Sequence, residues 1–107
     1  VLFKPHLLAK VLNGQKTQTR RLGPKQYRVG STQPISHGYT KPQGYIKIIR
    51  KYRQPLCCIS LSEARKEGFS SIEEFREAWR QINGGYNPDQ VVDVYEFELV
   101  KKATLEV

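Results

Sequence analysis

Between Val1 and Arg53 the sequence contains no Asp or Glu, although it carries twelve Lys and Arg there. All ten acids lie from Gln54 onward, against six basic residues, so a chain of net charge +8 divides into +12 ahead of Gln54 and −4 after it. A face built mostly from the first half attracts polyanions, and RNA or DNA phosphate is the usual partner. The competing explanation is plain solubility from excess Lys. No apolar run approaches the length that spans a bilayer, which argues against a membrane partner. The opening Val1-Leu2-Phe3-Lys4-Pro5 lacks the apolar region of a secretory signal, and a chain that starts on Val reads as trimmed or processed. Cysteine is scarce as well. Cys57 and Cys58 are adjacent, and neighbours in a strand point to opposite faces, which disfavours an ordinary disulfide between them. With His6 and His37 they show no zinc spacing, and no glycine-rich nucleotide loop is present. The expectation is therefore no metal, no cofactor, and two reduced thiols in a strand of an intracellular, cytoplasmic protein.

What is present fits one domain over residues 1–107, with a modest core from a 38% apolar share and a single tryptophan, Trp79. Leu2-Phe3 can open a sheet. Pro5 suits a first helical turn, and Leu7, Leu8, Val11 and Leu12 share one helical face before Gly14. Thr32 to Ser36 reads as a short strand. In the next strand Ile46 and Ile48 face the core while Tyr45, Lys47 and Ile49 alternate with them. Leu56 to Ile59 reads as a further strand piece. Ser60 and Glu63 have capping-box spacing, with Gly68 ending a short helix. Ser70-Ser71-Ile72-Glu73 repeats that spacing, and the helix behind it buries Ile72, Phe75, Ala78, Trp79 and Ile82, ending at Gly84-Gly85. Glu74 falls on the flank of that apolar face, the acid of this helix best placed to reach inward. Val91 to Val100 forms a long closing strand. This pattern gives about five or six strands and two or three short helices, an α+β chain.

One stretch resists a packing explanation. Gly14-Gln15-Lys16-Thr17-Gln18-Thr19-Arg20-Arg21 has no apolar side chain, yet its two threonines at i and i+2 suit extended backbone. It fits either a solvated edge strand whose charges discourage edge pairing, or one wall of a wet, anion-seeking site. In a regular strand Lys16 and Thr19 face opposite ways and meet only if the chain bends after Gly14, whereas Thr17, Thr19 and Arg21 share a face without any bend.

Gly14, Lys16, Thr17, Thr19 and Arg21 match a Gly-x-Lys-Thr-x-Thr-x-Arg signature, and the chain resembles the ASCH (activating signal cointegrator homology) domain family of the PUA-like group. The likeness extends through the Gly30 turn, where Ser31 stands in place of an Asp, the second helix and the Val94-Tyr95-Glu96-Phe97 strand. It implies a PUA-like mixed β-barrel. It also implies two kinds of function. Other ASCH proteins are linked to RNA or to coactivator roles, which implies a basic pocket for RNA or a modified nucleoside. One branch deacetylates acetylcytidine with a Lys, a Thr and a Glu. Carried over residue by residue, that set falls on Lys16, Thr19 and Glu74, with Glu73 one residue away.

The chemistry behind each is definite. A Thr hydroxyl becomes a nucleophile only when a base takes its proton. Lys16 does so only as the neutral amine, a state that burial and the charges of Arg20 and Arg21 favour and that a neighbouring Glu opposes. In a binding module Lys16, Thr17, Arg20, Arg21, Arg28 and Lys47 contact phosphate or ligand, and Tyr27, Tyr39 or Tyr45 stack on a base. RNA binding carries more weight here than hydrolysis. A third option is a regulatory domain that holds a nucleotide-like ligand without turning it over.

Overall fold

The computed structural model describes residues 1–38 and 40–102. Helix α1 (Pro5–Leu12) starts on its proline and ends where Gly14 takes a left-handed φ of 84°. Strands β1 (Gln18–Arg21) and β2 (Thr32–Ile35) are short; β3 (Gly44–Pro55) is long. A single 3-10 turn (Leu56–Cys58) leads to α2 (Leu61–Lys66), then α3 (Ile72–Asn83) and the closing strand β4 (Val91–Lys102). The capping box is formed: Ser60 Oγ accepts from the Glu63 N–H, and the Glu63 carboxylate accepts from the Ser60 N–H. Ser71 Oγ caps α3 by accepting from the Glu74 N–H, one residue later than the Ser70–Glu73 spacing implies and without the reciprocal side-chain bond.

The four strands make one antiparallel sheet in the order β1-β4-β3-β2. Leu2 adds only an isolated bridge to Ser36. The fold is α+β and PUA-like, and the described strands curl into a half-barrel, four in number rather than five or six. Two register shifts, at Tyr45/Ile46 and Ile48/Arg50, bend β3 and supply part of the curl. The strand expected over Leu56 to Ile59 is instead the 3-10 turn, because Pro55 ends β3 and the chain must turn into the Ser60 cap. Cys57 and Cys58 are accordingly exposed thiols on a turn, their sulfurs 3.7 Å apart and unbonded.

Both faces of the sheet are covered. Phe3, α1, Ile46, Ile48, Tyr95 and Phe97 form one cluster, and Leu56, Ala64, Phe75, Trp79, Val92 and Val94 form the other. Neighbouring residues Val94 and Tyr95 serve opposite faces, so β4 is central to both. Among the described residues no helix is long and apolar enough to cross a membrane.

Candidate functional site

The polar stretch after Gly14 is irregular at its start and, apart from Gln15 and Thr17, withdrawn from solvent. The Lys16 N–H donates to the Lys10 carbonyl at the end of α1, and the Thr17 N–H to the Lys66 carbonyl at the end of α2. The chain bends there, and Lys16 lies ahead of β1 with its side chain turned inward, 2% exposed. Its ammonium donates to the Gln18 carbonyl at 2.9 Å, the Glu67 carbonyl at 2.8 Å and the Glu67 carboxylate at 2.8 Å. Gly68, at φ 99°, makes this approach possible; a Cβ there would lie 3.1 Å from Lys10 Cδ and 3.6 Å from Lys16 Cβ.

Glu67 organises the interior. Its second carboxylate oxygen accepts from Arg20 Nη1 at 2.9 Å. Arg20 in turn donates to Gln18 at 2.5 Å, Gln54 at 2.7 Å and Glu63 at 2.8 Å. Lys16 and Arg20 are thus balanced by Glu67 and Glu63, and β1 can be buried without one apolar residue. Burial tends to raise the Glu63 pKa, but hydrogen bonds from Tyr52, the Ser60 N–H and Gln54, with the charge of Arg20, more than offset it and hold the carboxyl down at about 2. Tyr52 is pushed up to about 12, by burial first and then by its hydrogen bond to Glu63, so it stays a donor. Burial pushes the Lys16 ammonium below its ordinary value, and Glu67 pulls the other way.

Beside this network lies a cavity of about 360 Å³, within the ~300–1,000 Å³ common for small-molecule sites. Lys16, Thr19, Arg20, Arg21 and Glu67 line its polar side, and Phe3, Phe69, Phe75, Trp79 and Ile82 its apolar side. Leu2, Leu22 and Ile82 remain substantially exposed. Arg21 Nε donates to Thr19 Oγ1 at 3.1 Å, its Nη2 to the Leu2 carbonyl at 2.8 Å, and its guanidinium carbon sits 4.8 Å over the Phe3 ring. Desolvation is the largest influence on Arg21 and lowers its pKa; an arginine remains charged nonetheless.

Of the expected site residues, the cavity gathers Lys16, Thr19, Arg20 and Arg21. Thr17 is exposed, its N–H spent on α2 and its carbonyl accepting from Phe97. Tyr27 packs edge-on against Tyr95 at 5.4 Å and belongs to the core's margin. Arg28 and Lys47 are exposed and do not line the cavity, and neither does Tyr45. Tyr39 lies outside the described residues. Glu74 does not reach Lys16: it is exposed in the first turn of α3, where its N–H is capped by Ser71 and its carboxylate accepts from Ser70 Oγ. Glu73 is exposed as well.

The carboxylate against Lys16 is Glu67, seven positions earlier and outside the expected set. A signal for it existed. An acid at the C-terminal end of a helix opposes the macrodipole, so Glu67 ahead of Gly68 needed a cation, and Lys16 is that cation. Among the described residues no group of three or more His, Cys, Asp or Glu side chains is placed to hold a metal ion.

No curated protein matches this chain. Solved structures do. An ASCH domain from Lactobacillus crispatus has 21% identity and a TM-score of 0.78, over 90% of this chain and 71% of that one. A protein from Enterococcus faecalis has 21% identity and a TM-score of 0.72, over 91% and 68%. A mutant of an ASCH protein from Zymomonas mobilis has 13% identity and a TM-score of 0.67, over 98% and 73%. At such identities the likeness shows the fold. The sequence evidence is direct: the model of the ASCH domain matches residues 2–101, and the chain belongs to the ASCH domain family.

Proposed function

We propose that residues 1–107 form a single ASCH domain whose cavity binds the base of a nucleoside or of an unpaired RNA nucleotide, without turning it over. The observation that carries this reading is that Lys16 and Glu67, the groups that would have to activate Thr19, are already saturated by their own partners. All three Lys16 ammonium protons have acceptors, and both Glu67 carboxylate oxygens are held by cations. An ammonium in that setting is no base, and neither carboxylate oxygen is free to take the Thr19 proton. Thr19 Oγ1 accepts from Arg21, which leaves its hydroxyl proton for a ligand acceptor. Arg21 offers further N–H donors to a ligand oxygen, and the Phe75–Trp79 wall offers apolar area to a flat ring. The family's general link to RNA binding supports the same choice.

A second reading rests on a separate observation. Lys16 and Thr19 line one cavity, and Glu67 supplies the carboxylate that Glu74 does not. If a ligand displaces an acceptor from Lys16, its burial favours loss of a proton, and Thr19 becomes the nucleophile of an amidohydrolase acting on an N-acylated cytidine.

One experiment separates the two. Acetylcytidine is incubated with wild type and with Thr19→Ala, and the same proteins are titrated with single-stranded RNA across a salt series. Binding without turnover, weakened by Arg21→Ala, supports the binding domain; with ~4–6 phosphate contacts the log–log salt slope is about −3 to −4. Turnover by wild type that vanishes in a folded Thr19→Ala overturns it in favour of the hydrolase.

A further inference from the structure

The charges around the cavity do not close. Lys16 and Arg20 are matched by Glu67 and Glu63. Arg21 makes no ion pair among the described residues, and neither does Lys4, which lines the same cavity. Arg21 is also held in one orientation. Its Nε is fixed on Thr19, one Nη2 proton on the Leu2 carbonyl, and its face lies over Phe3. That uses two of five N–H donors. The other three have no hydrogen-bonding partner among the described residues.

A hydroxyl, a carbonyl and an aromatic face orient a guanidinium but do not neutralise it. A partly desolvated, pre-oriented guanidinium with free donors is the arrangement that recognises phosphate through paired N–H···O bonds. A neutral nucleoside filling the cavity would remove water from Arg21 and leave its charge unmatched, which costs binding energy. A ligand bringing its own anion removes that cost.

We propose that the cavity selects a nucleotide carrying a phosphate monoester, with the phosphate seated on Arg21, Lys4 adding a second positive charge, and the base against the Phe75–Trp79 wall. This rests on the base-pocket reading and adds the ligand's charge to it. The monoester belongs either to a free mononucleotide or to a phosphorylated RNA end; an internal phosphodiester carries less charge and continues the chain on both sides.

The test is isothermal titration calorimetry of the full chain with cytidine, its 5′- and 3′-monophosphates, and a short single-stranded RNA with and without a terminal phosphate. The expected result is that a monophosphate binds about tenfold or more tightly than its unphosphorylated counterpart, the scale of adding one desolvated charge pair. Arg21→Gln brings that ratio close to one, whereas Lys101→Gln, which removes an exposed charge away from the cavity, leaves it unchanged. Inorganic phosphate competes with the monophosphate. A gain confined to phosphorylated RNA supports the proposal with an RNA end as the source; a gain with mononucleotides supports it with a free ligand.

Two results overturn it: equal affinity for cytidine and its monophosphates in wild type, or a phosphate preference that survives in Arg21→Gln and reflects the general positive charge. Either leaves base binding standing. Absence of binding by every nucleoside, nucleotide and RNA overturns both this proposal and the base-pocket reading.

Discussion

Replacing Glu67 with Gln keeps the shape of the side chain and removes the one charge that faces two buried cations. Glu67 is 4% exposed, with one oxygen 2.8 Å from Lys16 Nζ and the other 2.9 Å from Arg20 Nη1. A Gln can present its oxygen to only one of these; its amide donors then meet the other cation. Breaking a buried pair on one side costs about 3–5 kcal/mol. The cost falls at the lower end here, because Arg20 keeps Glu63, Gln18 and Gln54 and because Lys16 can give up a proton. About 3 kcal/mol is a large share of the ~5–15 kcal/mol that holds a domain folded. At about 4–8 °C per kcal/mol it lowers the midpoint by roughly 12–24 °C. Thermal denaturation at neutral pH, followed by circular dichroism and by the fluorescence of Trp79, measures it. Adding Lys16→Met to Glu67→Gln should recover part of the loss, since the cation left unpaired is then absent. A fall of under about 4 °C for Glu67→Gln would refute the reasoning, because the pair would then contribute no more than an exposed one does.

Further outcomes follow from other contacts. Glu63 is held at about 2 in the folded chain, below its ordinary 4.5, so its contribution to stability is complete above about pH 4.5 and is lost as the pH falls toward 2; acid titration of the unfolding midpoint should show that decline, and Glu63→Gln should make it shallower. Gly44→Ala places a Cβ 2.7 Å from the Lys101 carbonyl oxygen, a backbone atom of the neighbouring strand, so urea unfolding should show a loss of about 1–3 kcal/mol. Ser71→Ala removes the acceptor of the Glu74 N–H at the start of α3 and should cost about 1 kcal/mol in the same assay. Thr19→Ala, by contrast, deletes an oxygen that accepts from a well-anchored Arg21, and its unfolding free energy in the same assay should stay within about 1 kcal/mol of wild type.

Local chemistry made much of the fold legible. Pro5 with the apolar face of α1 and the Ser60–Glu63 box each fix an element through contacts a few residues apart, and both are present, while the second cap falls on Ser71 and Glu74 rather than on Ser70 and Glu73. The buried pair Ile46 and Ile48 follows from strand alternation. The chain does bend after Gly14, through the bonds of the Lys16 and Thr17 N–H groups to the Lys10 and Lys66 carbonyls, contacts that sequence alone does not show. The strand expected at Leu56 failed because apolar runs of that length do not distinguish a strand from a tight turn, and Pro55 decided the matter.

The sequence by itself determined that Lys16 to Arg21 is a polar segment in an otherwise ordinary apolar pattern, that a cation-rich half precedes an acid-rich half, and that α2 begins at the Ser60 cap. Only the tertiary structure decided which charges meet. Folding brings Glu63 and Glu67 from the acidic half against Lys16 and Arg20 from the basic half, 43 to 51 residues apart in the chain, and neutralises two of the twelve cations inside the protein. Burial forces those pairings, since a charge removed from water must find its opposite. It also sets Glu74, which shares a helix with the cavity wall, out in solvent beside Ser70. Arg21 is left as the guanidinium at the cavity without a carboxylate partner among the described residues, a property that belongs to no single segment because it depends on where every nearby acid has been drawn.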